Sequence, residues 1–121
     1  MKRFEDIGTN RARGLQIWQI LIGKAHNRQI LTYGGLAKLM GIRGAGVLSA
    51  MLGHVMYVCI QEGLPPLTIL VVNQTTGVPG AGLLDGDFHA LREQVLNYEW
   101  FKIYPPTEAE LHHAYQTQGQ G

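Results

Sequence analysis

The sequence predicts an α+β domain, mainly α, arranged as a winged helix-turn-helix with a small β-hairpin wing and additional N- and C-terminal helices. Apolar residues recur at helical spacing on both sides of a glycine-rich turn at residues 41–44. A β-prone run at residues 68–73 and a polar turn then follow. Helix, turn, helix and hairpin in this order are typical of a winged helix.

The composition indicates one folded domain. Of 121 residues, 45% are hydrophobic and 16% charged, which is typical of a globular chain. We expect a domain over residues 1–116 and a flexible tail at 117–121. No apolar run approaches the roughly 20 residues that cross a bilayer, so no membrane association is expected. The N-terminus has no apolar secretory segment and Cys59 is the single cysteine, so we expect a cytoplasmic protein.

The net charge of +1 conceals an uneven distribution. Residues 1–43 contain eight basic and two acidic side chains, whereas residues 44–121 contain two basic and seven acidic ones. A polyanion on the basic third would release counterions, and the acidic remainder would repel it. The pattern predicts DNA binding through one side of the protein, although such charge halves also arise without a ligand and favour solubility.

The first two helices follow from capping residues and apolar spacing. Thr9 or Asn10 is a suitable N-cap for a helix that continues to about Ala25. Residues 30–33 form an extended lead-in to a second helix, with Gly34 and Gly35 in its first turn. The apolar stripe of the first helix has spacings of three and four residues and consists of Leu15, Trp18, Leu21, Ile22 and Ala25.

A third helix is predicted from residue 44 to about residue 62. Apolar residues occupy more than one of its sides, so we expect it to be buried on more than one face. No charged residue lies between Gly44 and Gln61. Since helices that read bases in the major groove usually present Arg, Lys, Asn or Gln, this helix is poorly equipped for that role.

The C-terminal half begins with the predicted wing. A strand at residues 68–73 and a turn at 74–77 lead to a return strand that starts at Val78 and is cut short by Pro79 and Gly80. Asp85 or Asp87 then caps a helix to about Asn97, and residues 100–104 are expected to be extended. Thr107 with Glu110 matches a capping box for a last helix.

Three stretches between residues 30 and 83 form a distinctive pattern. They are Thr-Tyr-Gly at 32–34, Gly-Ala-Gly-Val-Leu-Ser-Ala-Met-Leu-Gly at 44–53, and Val-Val-Asn at 71–73 followed by Gly77, Pro79, Gly80 and Gly82. The pattern resembles the DNA-binding half of the alkylguanine-DNA alkyltransferases and of their catalytically inactive relatives, the alkyltransferase-like proteins. In that alignment, the reactive Pro-Cys-His-Arg of the family is replaced by Leu67, Thr68, Ile69 and Leu70, and its intercalating arginine by Gly46.

The resemblance implies roles for individual residues. Tyr33 would touch a phosphate, the small face formed by Gly46, Ala50 and Gly53 would press into the minor groove, and Arg43 is the nearby candidate to replace the missing arginine. With the basic residues and the wing tip, the candidate DNA-binding set is Arg11, Arg13, Thr32, Tyr33, Lys38, Arg43, Gly46, Ser49, Ala50, Gly53, Gln74, Thr75 and Thr76.

Each of these roles has a structural alternative. Tyr33 could pack under the start of its helix, and residues 74–76 could form an ordinary polar turn. The small residues of the third helix could let another helix pack closely, either from this chain or from a partner.

The sequence predicts no catalytic site. Thr68 occupies the position of the family's cysteine, and Cys59 lies in an apolar stripe typical of an inert thiol. The histidines have no metal-ligand spacing, so we expect neither metal nor cofactor. Two functions remain: a non-enzymatic DNA-binding protein, or a protein–protein interaction module, such as a small regulator or inhibitor, whose small face and Tyr57 meet a partner or a second copy.

Overall fold

A computed structural model describes residues 1–78 and 87–119. Within these ranges the chain is mainly α-helical with a small two-stranded sheet, which confirms the predicted α+β class at this level. None of the helices in these ranges is both long and apolar enough to span a membrane. The elements are α1 (Phe4–Ile7), α2 (Asn10–His26), β1 (Leu31–Thr32), α3 (Tyr33–Leu39), α4 (Leu48–Glu62), β2 (Val71–Val72), α5 (Phe88–Asn97) and α6 (Glu108–Gln118).

Helix α2 begins and ends close to its predicted limits. The backbone N–H of Ala12 donates to Thr9 Oγ1 at 3.2 Å, so Thr9 is the N-cap. Trp18, Leu21 and Ala25 are buried in the core, and Ile17 extends the buried stripe. The short helix α1, which the sequence analysis did not anticipate, ends at Gly8 with a φ of +69°.

Helix α4 is buried on more than one side, as its apolar residues predicted. A 3₁₀ turn at Ala45–Val47 precedes it, and Gly63 ends it in the left-handed conformation with a φ of +65°. It packs against both α2 and α6. Its buried residues include Leu48, Met51, Leu52, Gly53, His54, Val55, Val58 and Cys59.

The β-hairpin wing is not formed within the described residues. Leu67–Leu70 make a 3₁₀ turn, and the remaining strand, Val71–Val72, pairs with β1 in parallel rather than with a return strand. All four residues of Leu67–Leu70 are buried, which an alternating strand with one solvent face could not achieve. Val78 is not in a strand, and Pro79, Gly80 and Gly82 lie outside the described residues.

Local capping signals predicted the C-terminal helices correctly. Asp87 caps α5 by accepting from the N–H groups of His89 and Ala90, at 2.9 and 3.3 Å, while Asp85 lies outside the described residues. Thr107 and Glu110 form the predicted capping box of α6. That helix continues through Gln118, so the first two residues of the expected flexible tail are helical.

The prediction that residues 100–104 are extended is wrong for Trp100–Lys102, which forms a 3₁₀ turn. The reason is a tertiary contact of the indole. Trp100 Nε1–H donates to the carbonyl of Val95 at 2.7 Å, and the ring meets Trp18 edge-to-face with centroids 5.6 Å apart. These contacts fold the segment back onto the end of α5.

Two glycines allow helices to approach α4 closely. A Cβ built on Gly14 of α2 would lie 3.0 Å from His54 Cβ and 3.5 Å from the Met51 carbonyl oxygen. A Cβ built on Gly53 would lie 2.8 Å from Tyr115 Cε1 of α6. The position of α4 therefore depends on the absence of side chains at these two sites.

Replacing Gly14 with alanine is expected to destabilise the protein by about 1–3 kcal/mol, because neither His54 Cβ nor a helix carbonyl can rotate away from the added methyl group. Gly23→Ala in the same helix is the matched control. A Cβ built on Gly23 would meet nothing within 4 Å, so replacing this helical glycine with alanine is expected to raise the free energy of unfolding by about 0.5–1 kcal/mol. Urea unfolding of both variants measures these changes, and equal effects of the two substitutions would contradict the packing argument.

Candidate nucleic-acid interface

The polar turn and the start of α3 lie at the same end of the small sheet. Leu31 pairs with Val71 and Thr32 with Val72 in parallel register, so Tyr33 and Asn73 both follow the paired residues directly. Thr32 Oγ1 accepts from the N–H of Gly35 at 2.9 Å and caps α3. The parallel pairing, which the sequence did not reveal, thereby brings the candidate residues 32–33 and 74–76 together.

The turn at residues 74–76 is fixed by Asn73. Its Oδ1 accepts from the N–H groups of Thr75 and Thr76 at 2.8 and 3.2 Å, and its own N–H donates to the Val78 carbonyl at 2.8 Å. Those two amides are therefore engaged within the turn and are not available to a phosphate. The side chains of Gln74, Thr75 and Thr76 are exposed and available for contacts.

Lys38 and Arg43 lie toward the opposite end of α3. A seven-residue helix is about 10 Å long, so the two ends of α3 are about this far apart. Both cations are exposed, and Gly34, one helical turn before Lys38, is exposed as well. Tyr33 is half-buried and packs against the core, which agrees with its structural alternative. We call residues 32–34, Lys38, Arg43 and residues 74–76 the α3 surface.

Arg13 is not an exposed cation. Only 8% of it is accessible, and its Nη1 donates to Gln16 Oε1 at 2.7 Å and to the Met40 carbonyl at 3.1 Å. It therefore connects α2 to the end of α3, where a cation also complements the helix dipole. The sequence carried a signal for this burial, because Arg13 lies in one row, at spacings of four, with Ile17, Leu21 and Ala25.

Helix α6 covers one end of the predicted small face, Gly46, Ala50 and Gly53, and leaves the other end exposed. Gly46 and Ser49 are exposed and Ala50 is half-buried, but Gly53 is buried beneath the ring of Tyr115. The expectation that Gly53 contacts DNA is therefore wrong, because α6 of the same chain occupies the space. Tyr57 also meets Tyr115, with ring centroids 5.9 Å apart.

Two further basic residues of the N-terminal third, Arg28 and Arg11, lie in different environments. Arg28 is neutralised by Glu93, with Nη2 to the two carboxylate oxygens at 2.9 and 3.1 Å, and its Nη1 donates to Asn97. Arg11 is half-buried on the first turn of α2 and lies close enough to disfavour a positive charge on His54.

Neither Thr68, which the resemblance aligns with the family's reactive cysteine, nor Cys59 is placed for nucleophilic chemistry. Thr68 is buried within the 3₁₀ turn, and Cys59 is buried in α4. Burial raises the pKa of Cys59 to about 11, although a hydrogen bond with the backbone of Leu67 opposes this shift. Among the described residues, no group of three or more His, Cys, Asp and Glu side chains could bind a metal ion.

His54 is a buried titratable group that the sequence analysis did not single out. It is 2% exposed, and its Nδ1 lies 2.7 Å from the Ala50 carbonyl, so Nδ1 bears the proton of the neutral ring. Its ring stacks on Tyr115 with centroids 4.3 Å apart, and Nε2 has no hydrogen-bond partner among the described residues. Burial lowers the pKa of His54, the hydrogen bond to Ala50 partly opposes this shift, and His112 and Arg11 lower the pKa further.

Comparison with known proteins finds no match for this chain among protein-family models, curated proteins or solved structures.

Cys59 is expected to resist alkylation in the folded protein, because the thiol is buried and its pKa of about 11 leaves little thiolate at pH 8. Iodoacetamide labelling followed by mass spectrometry should show slow modification in buffer and fast modification in denaturant. Rapid labelling of the native protein would show that the thiol is accessible and reactive.

Stability is expected to fall as the pH decreases from about 7.5 toward 5. The folded-state pKa of His54 lies below its unfolded value of 6.5, so the unfolded chain takes up a proton first as the pH falls through this window. His54→Phe should flatten this pH dependence, whereas His113→Gln, which removes an exposed histidine from α6, should retain it. Urea unfolding at several pH values measures both slopes, and an unchanged slope in His54→Phe would contradict this assignment.

Proposed function

We propose that this is a non-enzymatic DNA-binding protein that contacts phosphates through the α3 surface. The observation that supports this most directly is the parallel β1–β2 register, which places the exposed polar tip at residues 74–76 beside the start of α3. Lys38 and Arg43 supply positive charge toward the other end of the helix. Hydroxyl, amide and cationic side chains of this kind are the usual partners of phosphate oxygens.

The distribution of acidic residues agrees with this orientation. Helix α3 packs against β1, β2 and the 3₁₀ turn at Ala45–Val47, whereas α6 packs on α2 and α4. Glu93 lies on α5, Glu99 on the following segment, and Glu108 and Glu110 on α6. DNA on the α3 surface would therefore meet the elements of the basic N-terminal third rather than the acidic C-terminal helices.

The proposed binding is independent of base sequence. The buried residues of α4 are apolar except for His54 and are covered by α2 and α6, so this helix offers no row of side chains that could read the major groove. Its exposed beginning presents Gly46 and Ser49, which are small enough for close approach to a groove. With glycine at position 46, nothing is available there to fill the space of a flipped base, so we propose binding without base flipping.

The alternative function is a protein–protein interaction module, but part of the surface predicted for it is covered by α6 of the same chain. Gly53 and Tyr57 are both engaged by Tyr115 of the same chain. Gly46 and Ala50 remain, together with the exposed side chain of Val47. An apolar contact of this kind would depend little on salt, unlike contacts to phosphates.

Binding of a short labelled duplex is expected at ~50 mM salt and should weaken steeply at ~200 mM as counterions rebind. Lys38→Gln and Arg43→Gln should each weaken binding and lower the slope of log affinity against log salt by about one. Lys102→Gln is the matched control, since it removes an exposed lysine that pairs with Glu99 outside the α3 surface. A duplex containing an alkylated guanine tests whether a lesion is preferred.

The absence of binding at ~50 mM salt would reject the DNA-binding proposal. Equal losses in Lys38→Gln and Lys102→Gln would reject the α3 surface as the contact site. Transfer of an alkyl group to the protein, detected as a mass increase, would contradict the non-enzymatic part of the proposal.

A further inference from the structure

A charged pocket lies where α1, α2 and the end of α3 meet. Its volume is about 380 Å³. Three cationic side chains line it, Arg3, Arg13 and Lys38, against one carboxylate, Glu5. The pocket is therefore strongly positive, although the whole chain is close to neutral.

Arg13 is the unusual member of this pocket. It is more than nine-tenths buried, yet both acceptors of its Nη1, the Gln16 amide and the Met40 carbonyl, are neutral. Among the described residues, no carboxylate forms an ion pair with it and none accepts from its Nη2 or Nε. An arginine that is so largely buried is ordinarily paired with an anion. Among the described residues only the His54 Nε2 atom is both sealed from solvent and without a hydrogen-bond partner, so the Arg13 Nη2 and Nε atoms are accessible to a ligand.

Glu5 does not supply this missing charge. Its carboxylate lies 3.6 Å from Arg3 Nη1, and both side chains are more than half exposed. Such a pair contributes little and is readily rearranged. The pocket keeps an excess of two positive charges after Glu5 has been counted.

We propose that this pocket binds a phosphate group, with Arg13 and Lys38 as its principal ligands. The free Nη2 and Nε edge of Arg13 matches two oxygens of a tetrahedral anion, and the Lys38 ammonium can donate to a third. The cavity is larger than a phosphate ion, so it has room for the group esterified to it. The phosphate can come from a small phosphate ester or from a nucleic-acid backbone.

This inference does not depend on the proposed DNA binding. Arg13, Arg3 and Lys38 line this pocket whether or not DNA occupies the α3 surface. Lys38 belongs to both sites, whereas Glu5 and Arg13 belong to the pocket alone. Substitutions at Glu5 therefore separate the two proposals.

The first test is a titration of ¹⁵N-labelled protein with inorganic phosphate at constant ionic strength, with sodium chloride as the balancing salt. Leu39, Met40 and Gly41 line the pocket, so their backbone amide signals report on it, and the Nε–H of Arg13 reports on the guanidinium. We expect saturable shifts of these signals and an increase in the unfolding temperature with phosphate, because binding to the folded state stabilises it. Linear shifts that never saturate would overturn the proposal.

Two exposed substitutions test the sign of the charge effect without disturbing the core. Lys38→Gln is expected to weaken phosphate binding about tenfold, the loss typical of one hydrogen bond to a charged group. Glu5→Gln removes the repelling carboxylate and should tighten binding. Lys102→Gln should leave the phosphate affinity unchanged. An unchanged affinity in both pocket variants would overturn the proposal, even if the protein binds phosphate elsewhere.

A competition experiment distinguishes the two sources of phosphate. If inorganic phosphate at constant ionic strength displaces a labelled duplex, and Glu5→Gln makes it displace the duplex at lower concentration, the pocket receives a backbone phosphate. If phosphate saturates the pocket while the duplex does not bind, the pocket takes a small phosphate ester and the proposed DNA binding fails alone. If the duplex binds but phosphate shows no saturable shifts, the pocket proposal fails and DNA binding stands.

Discussion

Close packing of α4 between α2 and α6 determines which surfaces of this protein are free to bind anything. At Gly14 the neighbouring Cβ of His54 would be 3.0 Å from an added methyl group, and at Gly53 the ring of Tyr115 would be closer still. The ring of His54 stacks on Tyr115 at the same junction. Because α4 is covered there, its apolar sides contribute to stability rather than to recognition. The accessible polar groups that we propose contact DNA lie instead on α3, at the beginning of α4 and on the turn after β2.

Elements defined by local interactions could be predicted from the sequence. Thr9, Asp87 and the Thr107–Glu110 capping box bind backbone amides within their own first turns, so α2, α5 and α6 were found correctly. Elements that depend on distant contacts could not. The first half of the β-prone run at residues 68–73 lies in a buried 3₁₀ turn, and Val71 and Val72 pair with a strand some 40 positions earlier in the chain. The turn at Trp100–Lys102 likewise depends on the contact of Trp100 with Trp18.

In the candidate site too, some residues could be chosen from the sequence, whereas the state of others depends on tertiary packing. Exposed, flexible side chains such as Lys38, Arg43 and Thr75 could be chosen from charge and turn chemistry, because nothing else constrains them. Gly53 could not be excluded, since its burial depends on where α6 packs. Arg13 counted as one more basic residue in the sequence, but in the fold it is a buried charge beside two further cations. With Arg3 and Lys38 it lines the positively charged pocket that we propose binds a phosphate group.

We propose that anionic ligands bind this protein on the side of α3 and not on the side of α5 and α6. The decisive measurement is a map of the amide shifts of ¹⁵N-labelled protein on addition of a short unlabelled duplex at low salt. We expect shifts concentrated at residues 32–34, 38–43 and 74–76, with α5 and α6 unaffected. Shifts concentrated on α5 or α6, or none at all, would contradict it.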